Sequence, residues 1–275
     1  AELGDFVRRL DVGRFAHHGE QFDITGHFNL PRSPQGHPVV IQAGDSDEGR
    51  ELAAATADVL FTGNAAFEAG RAFLADVKGR MAAYGRSPDE LKILPAATVV
   101  LGDTAAEAVE RSAEIRRQQV SAQTAIQLIE LIWNRDLSGV DPDGPLPADA
   151  PDLDGPSIVQ GRVRPVDPMK AANDLRAIAA AKNLSLHQVV IERAQRHTFV
   201  GTPEHVAGEI DRHVQEEACD GFILVPHLTP SGLDEFVDRV VPLLQERGVF
   251  RSEYTETTLR GHLGLLPRVP NPSGR

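Results

Sequence analysis

The residues best suited to chemistry form a short run between an apolar segment and a helical pattern. Ala43 ends the apolar run of residues 38–43, and Gly44 and Asp45 lead from it to Ser46, where a helix is predicted to begin. The amino end of a helix offers unpaired backbone N–H groups and the positive end of the helix dipole, which attract an anion. Gly44 lets the backbone approach that anion closely, and Ser46 adds a hydroxyl donor. The run therefore predicts a phosphate-binding loop.

A purely structural interpretation of the same residues is also open. Ser46 is then only an N-cap, worth about 1 kcal/mol to the helix, and Gly44 only makes the turn. Asp45, Asp47 and Glu48 oppose a phosphate at this place, because three carboxylates repel a dianion unless they point away from it. From these residues alone the structural interpretation is favoured, and only the wider sequence context reverses that preference.

Two further polar positions follow apolar runs. Thr62 ends the run at residues 58–62 and is followed by Gly63 and Asn64, where the Asn64 amide either binds a ligand or caps a helix before Ala65. His227 follows the run at residues 221–226, where it either faces a pocket or lies on a solvated turn. Both alternatives stay open for both residues.

Other candidates favour structural roles. The histidines have no HxH or HExxH spacing that would place two metal ligands on one face, and the lone Cys219 cannot form an internal disulfide or a CxxC site. No metal site is predicted. Thr202, Pro203 and Glu204 are typical of an N-cap, a first helical position and an acidic first turn. The histidines concerned are His17, His18, His27 and His37.

Charge and composition exclude several classes of protein. The 275 residues include 40 acidic and 28 basic side chains, a formal net charge of −12. This balance argues against binding to nucleic acid or to an anionic membrane, which needs clustered Lys and Arg. No apolar run approaches the roughly 18 residues of a membrane span. With a single cysteine, these features predict a cytoplasmic protein.

The elements that must position the candidate residues alternate between apolar runs and helical patterns, which indicates an α/β fold around a parallel sheet. A helical stripe of apolar residues that ends at Trp133 is typical of a core or a subunit interface. The stripe also contains Ile126, Ile129 and Ile132. The predicted strands are residues 38–43, 58–62, 93–101 and 221–226, and the predicted helices are residues 46–56, 65–85, 104–136, 170–181, 185–196, 203–217 and 231–247.

Three segments lie outside this alternation within one predicted domain of residues 1–275. Residues 17–36 alternate like a β-hairpin. Residues 137–168 are rich in Pro, Gly and Asp and predict an inserted loop that is mobile or irregular, either a lid over the substrate or a disordered segment. Residues 249–275 predict a C-terminal tail that wraps the surface or reaches a partner subunit.

Several motifs occur together in a distinctive order. They are G-E-x-F-x-x-x-G in the predicted hairpin, P-x-x-P-Q-G before the first apolar run, and Q-A-G-x-S-x-x-G-R at residues 42–50. Further stretches at residues 75–108, 199–210, 220–251 and 253–265 fit the same pattern. In this combination the chain resembles the nitrilotriacetate monooxygenase component A group of the bacterial-luciferase-like flavin-dependent monooxygenases.

The resemblance implies a TIM-type (β/α)₈ barrel of which this chain holds strands 5 to 8 with insertions. Four strands are half the number that such a barrel needs. We therefore expect the other strands upstream of Ala1, and an exposed apolar edge beside residues 38–43. At Arg9, Leu10 and Asp11 the chain also lacks a Trp- and Asp-rich segment usual in the family.

The resemblance also implies a function. The expected activity is the oxygenation of a small organic substrate with O₂ and reduced FMN, which a separate flavin reductase supplies, in an expected homo-oligomer. Ala43, Gly44, Asp45 and Ser46 then hold the FMN phosphate. Two alternatives remain open: a degenerate or non-catalytic flavin-binding subunit, and a deazaflavin-dependent dehydrogenase of the same superfamily, which the hairpin and the P-Q-G insertion disfavour. The substrate is not encoded in a recognisable motif.

Overall fold

The computed structural model describes residues 13–28, 33, 35–194 and 197–265, which fall into two compact units. The first unit consists of residues 1–95, 217–221 and 251–275, and the second of residues 96–216 and 222–250. The predicted junction at Arg9, Leu10 and Asp11 lies outside the described residues. The organisation of residues 1–275 as one domain stays a prediction.

The described residues alternate between strands and helices as the α/β prediction requires. The strands are β1 (Arg14–His18), β2 (Asp23–His27), β3 (Ile41–Ala43), β4 (Val59–Thr62), β5 (Lys92–Ala97), β6 (Val99–Leu101), β7 (Phe199–Gly201) and β8 (Ile223–Leu224). The α-helices are α1 (Asp47–Thr56), α2 (Phe67–Arg80), α3 (Ala105–Gln119), α4 (Ala122–Trp133), α5 (Pro168–Lys182), α6 (Leu186–Arg193), α7 (Pro203–Gln215), α8 (Ser231–Arg239), α9 (Val241–Glu246) and α10 (Leu259–His262).

A parallel sheet in the first unit carries the candidate loops. β3 pairs with β4, and β4 pairs with β5. β3 is shorter than predicted because the Val40 N–H bonds the Asp58 carboxylate (2.9 Å), outside the strand ladder. The Ile41 side chain is 60% exposed at this edge, so the prediction of an exposed apolar edge is confirmed. Among the described residues the strands form open sheets and no closed eight-stranded barrel.

Helices α1 and α2 cover this sheet in the first unit. Their apolar faces and strands β4 and β5 enclose a core that includes Ala54, Leu60 and Val77, all fully buried. The Arg86 guanidinium donates to the carbonyl oxygens of Ala54 (2.8 Å) and Ala57 (2.6 Å). This arginine satisfies carbonyl groups that the last turn of a helix leaves unpaired. These hydrogen bonds hold the carboxyl end of α1. Because the helix is rigid, they also orient its amino end, which follows the candidate loop.

The predicted hairpin and tail also belong to the first unit. β1 and β2 pair in antiparallel register from Arg14↔His27 to His18↔Asp23, within and just before the predicted residues 17–36. From the tail, Arg260 is buried and donates to Asp58 at 2.6 Å and 3.1 Å. The described part of the tail therefore supplies a buried ion pair to this unit.

In the second unit, Thr98 interrupts the predicted strand of residues 93–101. Thr98 and Thr198 exchange hydrogen bonds between the backbone N–H of each and the hydroxyl of the other, at 3.2 Å and 2.8 Å. The end of β5 pairs with β8, whereas β6 pairs with β7, a strand that the sequence did not predict. The prediction of one continuous strand was wrong, because the two halves have different partners. β8 is shorter than the predicted residues 221–226.

Two predicted helices of the second unit are each divided. Residues 104–136 form α3 and α4, because the Ser121 hydroxyl accepts from the Thr124 N–H (3.1 Å) and begins a new helix. Residues 231–247 form α8 and α9, which meet at Val240. The prediction that the stripe ending at Trp133 is core is confirmed, since Ile129 and Trp133 are buried.

The predicted loop of residues 137–168 contains no helix or strand up to Pro168, where α5 begins. It is nevertheless tied to the helices of the second unit. The Trp133 indole N–H donates to the Asp149 carbonyl oxygen (2.9 Å), and the Arg176 guanidinium donates to the Pro147 carbonyl oxygen (2.7 Å). Its mobility stays a prediction.

Candidate functional site

The loop from Ala43 to Ser46 joins the carboxyl end of β3 to the amino end of α1. Ser46 is the N-cap, with φ −67° and ψ 163°, and its Oγ accepts from the Gly49 N–H at 3.1 Å. The predicted N-cap role of Ser46 is therefore confirmed. A hydroxyl that accepts one hydrogen bond still has its own hydrogen to donate, so this role leaves Ser46 able to bind an anion.

The protein itself does not require a glycine at position 44. The Gly44 backbone lies outside the left-handed region, and among the described residues a Cβ there would meet only the flexible Gln42 amide at 3.3 Å and the Gly49 Cα at 3.7 Å. At Gly49 the neighbours are closer, since a Cβ would lie 3.1 Å from the Gly44 carbonyl oxygen and 3.3 Å from the Ser46 Oγ. Gly49 therefore serves the packing of the loop, while the space beside Gly44 is open.

The loop after β4 is bonded to the loop after β3. The Asp45 Oδ2 accepts from the Gly63 N–H and from the Asn64 amide, both at 3.3 Å. The Asn64 amide also donates to the Thr62 hydroxyl at 2.9 Å, and Thr62 is buried. The structure thus brings together the candidate residues of both loops in the first unit.

These contacts correct the structural alternative for Asn64. We considered it as the cap of the helix after residue 65, but the N-cap of α2 is Ala66, without a side-chain cap. Asn64 instead uses its amide hydrogens to hold Asp45 and Thr62. A direct contact between Asn64 and a ligand stays a prediction.

Two of the three carboxylates that oppose an anion have donors of their own. Asp45 has the contacts from Gly63 and Asn64, and the Asp47 carboxylate accepts from the Arg80 guanidinium at 2.7 Å. Hydrogen bonds that Arg80 donates to Asp76, Asp47 and Glu51, in that order of effect, hold the pKa of Arg80 above its ordinary value. This arginine is therefore a permanent positive charge next to the first turn of α1.

Arg50 is a part of the loop to which sequence reasoning gave no role. Its Nε donates to the Asp45 carbonyl oxygen (3.0 Å), its Nη1 bonds Asp76 (2.9 Å), and its guanidinium lies 4.8 Å from the centre of the Phe73 ring. Arg50 therefore fixes the loop to α2. The signal was present in the motif at residues 42–50, in which Gly49 and Arg50 are the last two fixed positions.

The remaining candidate, His227, belongs to the second unit. It follows β8 and is half-buried against Gly232, where a Cβ would lie 3.5 Å from the His227 Nδ1. This Nδ1 is buried and has no hydrogen-bond partner in the described residues. The centre of its ring lies 6.0 Å from that of His197, a residue that the sequence reasoning did not single out.

The hairpin histidines have local contacts. His18 Nδ1 lies 2.6 Å from Asp23 Oδ1, and His37 Nδ1 lies 2.8 Å from the Pro38 carbonyl oxygen. Within the described ranges no three His, Cys, Asp or Glu side chains are grouped to hold a metal ion. In the same ranges, every helix is too short or too polar to cross a bilayer.

Comparison with known proteins gives these loops a context. The chain is 42% identical over 276 residues to nitrilotriacetate monooxygenase component A of Aminobacter aminovorans, covering 96% of this chain and 58% of the relative. EDTA monooxygenase of Chelativorans sp. BNC1 is 33% identical and superposes with a TM-score of 0.62, covering 93% of this chain and 57% of that one. A riboflavin lyase, solved with modified FMN and riboflavin, is 28% identical with a TM-score of 0.65, covering 93% and 54%.

The chain thus spans somewhat more than half the length of the relatives it matches. Residues 1–221, which include both loops of the candidate site, match the family model described as luciferase-like monooxygenase. Because this match covers most of the chain and agrees with the relatives and with the strand-to-helix loops, the chain belongs to the luciferase-like monooxygenase family.

Proposed function

We propose that this protein catalyses, within its complete form, the oxygenation of a small organic substrate by O₂ with reduced FMN. A separate flavin reductase supplies the reduced flavin. Family membership and the monooxygenase names of the relatives support this proposal. The substrate class named for those relatives is a reason to test small organic acids first.

The observation that carries the proposal is the loop of Gly44, Asp45 and Ser46 between β3 and α1. In a barrel of this type the carboxyl ends of the strands form the active face, and a helix that begins there directs its N–H groups at the ligand. Gly44 leaves open space that the fold itself does not need. We infer that this space receives the FMN phosphate.

The donor set fits a phosphate. In the first turn of α1 the N–H groups of Asp47 and Glu48 have no partner within the helix, and Ser46 retains a hydroxyl hydrogen. Asp45 is held by the second loop, and Asp47 is bonded by Arg80. These contacts reduce the charge repulsion that the three acidic residues would otherwise exert.

Each loop has its own part in this scheme. The bound flavin would supply the reaction with O₂, and the protein would position the flavin and exclude water around it. Ala43, Gly44 and Ser46 bind the phosphate, whereas Gly63 and Asn64 hold the Asp45 carboxylate and Thr62 positions the Asn64 amide. In the second unit, we infer that His227 contacts the substrate at the end of β8.

The same proposal assigns the sheet. We infer that β3, β4, β5 with β6, and β8 correspond to strands 5 to 8 of a (β/α)₈ barrel. The parallel pairings and the exposed Ile41 edge of β3 support this assignment.

Titration of FMN into the protein, followed by flavin fluorescence, tests the proposed cofactor. Oxygen uptake with reduced FMN and nitrilotriacetate as a probe tests the proposed reaction. We expect saturable FMN binding, and O₂ consumption coupled to loss of the probe acid. Binding of a deazaflavin in preference to FMN, without O₂ consumption, would show that the chain is a dehydrogenase instead.

A further inference from the structure

Three basic side chains lie close together in the second unit. Arg116 is on α3, His197 precedes β7, and His227 follows β8. The ring centres of His197 and His227 are 6.0 Å apart, and the His197 Nδ1 lies 2.8 Å from the Ser112 hydroxyl on α3. All four side chains, including that of Ser112, are half-buried.

No carboxylate in the described ranges neutralises this basic cluster of Arg116, His197 and His227. Arg116 forms no ion pair there, and its Nη2 donates to the carbonyl oxygens of Ile191 (2.6 Å) and Glu192 (3.4 Å). The Glu192 carboxylate itself bonds Lys182 at 2.6 Å. In a chain with 40 acidic residues against 28 basic ones, a half-buried arginine without a carboxylate is unusual.

Two nitrogen atoms of the basic cluster have unused hydrogen-bonding capacity. The Arg116 Nε and the His227 Nδ1 are buried and have no partner among the described residues. Buried polar atoms are normally satisfied, and each exception needs an explanation. Apolar packing alone gives these two nitrogen atoms no hydrogen-bond acceptor, and a bound anion would supply one.

The titration of His197 indicates the same imbalance. Burial holds the pKa of His197 below its ordinary value, and the neighbouring His227 and Arg116 lower that pKa further. Every charged neighbour that shifts this pKa is therefore basic. An anion bound here would oppose that repulsion and stabilise the protonated imidazole.

We propose that Arg116, His197 and His227 bind a carboxylate group of the substrate. This inference rests on the proposed function, and it narrows the substrate to small organic acids. A guanidinium and two imidazoles donate to carboxylate oxygens in charge-assisted hydrogen bonds, which are stronger than neutral ones. His227 stands at the carboxyl end of β8, where enzymes built on such barrels bind their substrates.

Ser112 acts as a positioning residue for His197. Its hydroxyl bonds the Nδ1 of the imidazole, which leaves the Nε2 for the ligand. Ser112→Ala should therefore weaken carboxylate binding less than a change of a residue that contacts the ligand. A shift of the His197 imidazole signals in NMR, without loss of the fold, would report this positioning role.

Calorimetric titration of the protein with succinate tests the proposed site. Succinate should bind with one-to-one stoichiometry, whereas its neutral counterpart succinamide should not bind. Arg116→Gln and His227→Gln should each weaken succinate binding by about tenfold or more, because each removes a donor to a charged group. The matched control is Arg117→Gln, since Arg117 is the next residue on α3, is more than half exposed and pairs with Glu114.

Several results would overturn the proposal. They are absence of succinate binding, unchanged binding in folded Arg116→Gln and His227→Gln proteins, and inorganic phosphate that binds at the same site as tightly as succinate. If Arg116→Gln does not fold because α6 loses its contacts, succinate binding by His197→Gln and His227→Gln tests the proposal instead.

Titration with FMN is a separate measurement, which tests the proposed function. If the wild-type protein binds FMN but not succinate, this inference alone is contradicted, whereas absence of FMN binding to the wild-type protein contradicts the proposed function.

Discussion

Replacement of Ser46 by alanine separates a phosphate-binding loop from a loop that only caps a helix. The Ser46 Oγ accepts from the Gly49 N–H at 3.1 Å, and its hydrogen remains to be donated to an anion. Ser46→Ala removes both contacts. The substitution leaves the backbone N–H groups of α1 in place, so we expect FMN binding to be weakened and not abolished.

The two roles of Ser46 predict losses in two different quantities. Loss of the N-cap should lower the free energy of unfolding by about 1 kcal/mol. Loss of one charge-assisted hydrogen bond to phosphate should weaken FMN binding by about 1.5 to 3 kcal/mol. That range corresponds to roughly ten- to a hundredfold in affinity.

The assay combines FMN titration with thermal melting. The chain offers a matched control in Ser121, another serine N-cap whose Oγ accepts from the Thr124 N–H at the same 3.1 Å, but on α4. Ser121→Ala should lower stability to a similar extent and leave FMN binding unchanged. A Ser46→Ala protein that melts early yet binds FMN as the wild type does would refute the reasoning, and the loop would then be merely structural.

Gly44 gives an independent test of the same site. Gly44→Ala should leave the melting temperature almost unchanged, because in the described part of the chain its Cβ meets only the Gln42 amide and the Gly49 Cα. FMN affinity should fall, and Gly44→Val should lower it further, since the larger side chain occupies the space assigned to the phosphate. Gly79→Ala is the control, because a Cβ at Gly79 would have no neighbour within 4 Å among the residues that the structure describes. Normal FMN binding by a folded Gly44→Val protein would exclude this place for the phosphate.

Other predictions concern stability, reactivity and dynamics. Arg260→Met should destabilise the protein by about 3 kcal/mol in urea unfolding, because it leaves the half-buried Asp58 carboxylate with the Val40 N–H but without its buried cation, and a change below 1 kcal/mol would contradict this. Cys219, whose pKa burial raises to about 11, should react with iodoacetamide at pH 8 only after unfolding. Hydrogen bonds from Arg80 and then Arg50 lower the pKa of Asp76 below its ordinary value of 3.8. The contribution of Asp76 to the free energy of unfolding is therefore complete above pH 3.8 and is lost as the pH falls through the lowered pKa of the folded state. Asp76→Asn should therefore reduce stability at pH 7 and flatten its decline in acid. Most amides of residues 137–168 should exchange quickly, and uniform protection would contradict the mobile loop.

The sequence by itself determined the local features of this protein. The N-caps Ser46 and Thr202 were predicted correctly, because a cap depends on residues within one turn of the helix start. The alternation of apolar runs and helical patterns indicated the α/β class, because hydrophobic periodicity is also a property of neighbouring residues. The motif at residues 42–50 also led to the family, since its glycines and serine stand at fixed spacing around a strand-to-helix turn.

Only the tertiary structure decided which segments meet. Thr98 divides a continuous apolar run because Thr198, one hundred residues away, bonds its backbone and side chain. β7 was missed for a related reason: three residues carry too little periodicity to indicate a strand, and its pairing with β6 is what makes it one.

The candidate site shows the same division between local and distant causes. Local sequence placed Gly44 and Ser46 at a helix start, but the arrangement of Asp45 against Asn64 depends on two parallel strands ending side by side. The cluster of Arg116, His197 and His227 was invisible in the sequence, because its members come from three elements up to 111 residues apart and share no motif. Spacing along the chain specifies the turns and caps, whereas side chains distant in sequence become a site only when the packed elements bring them together.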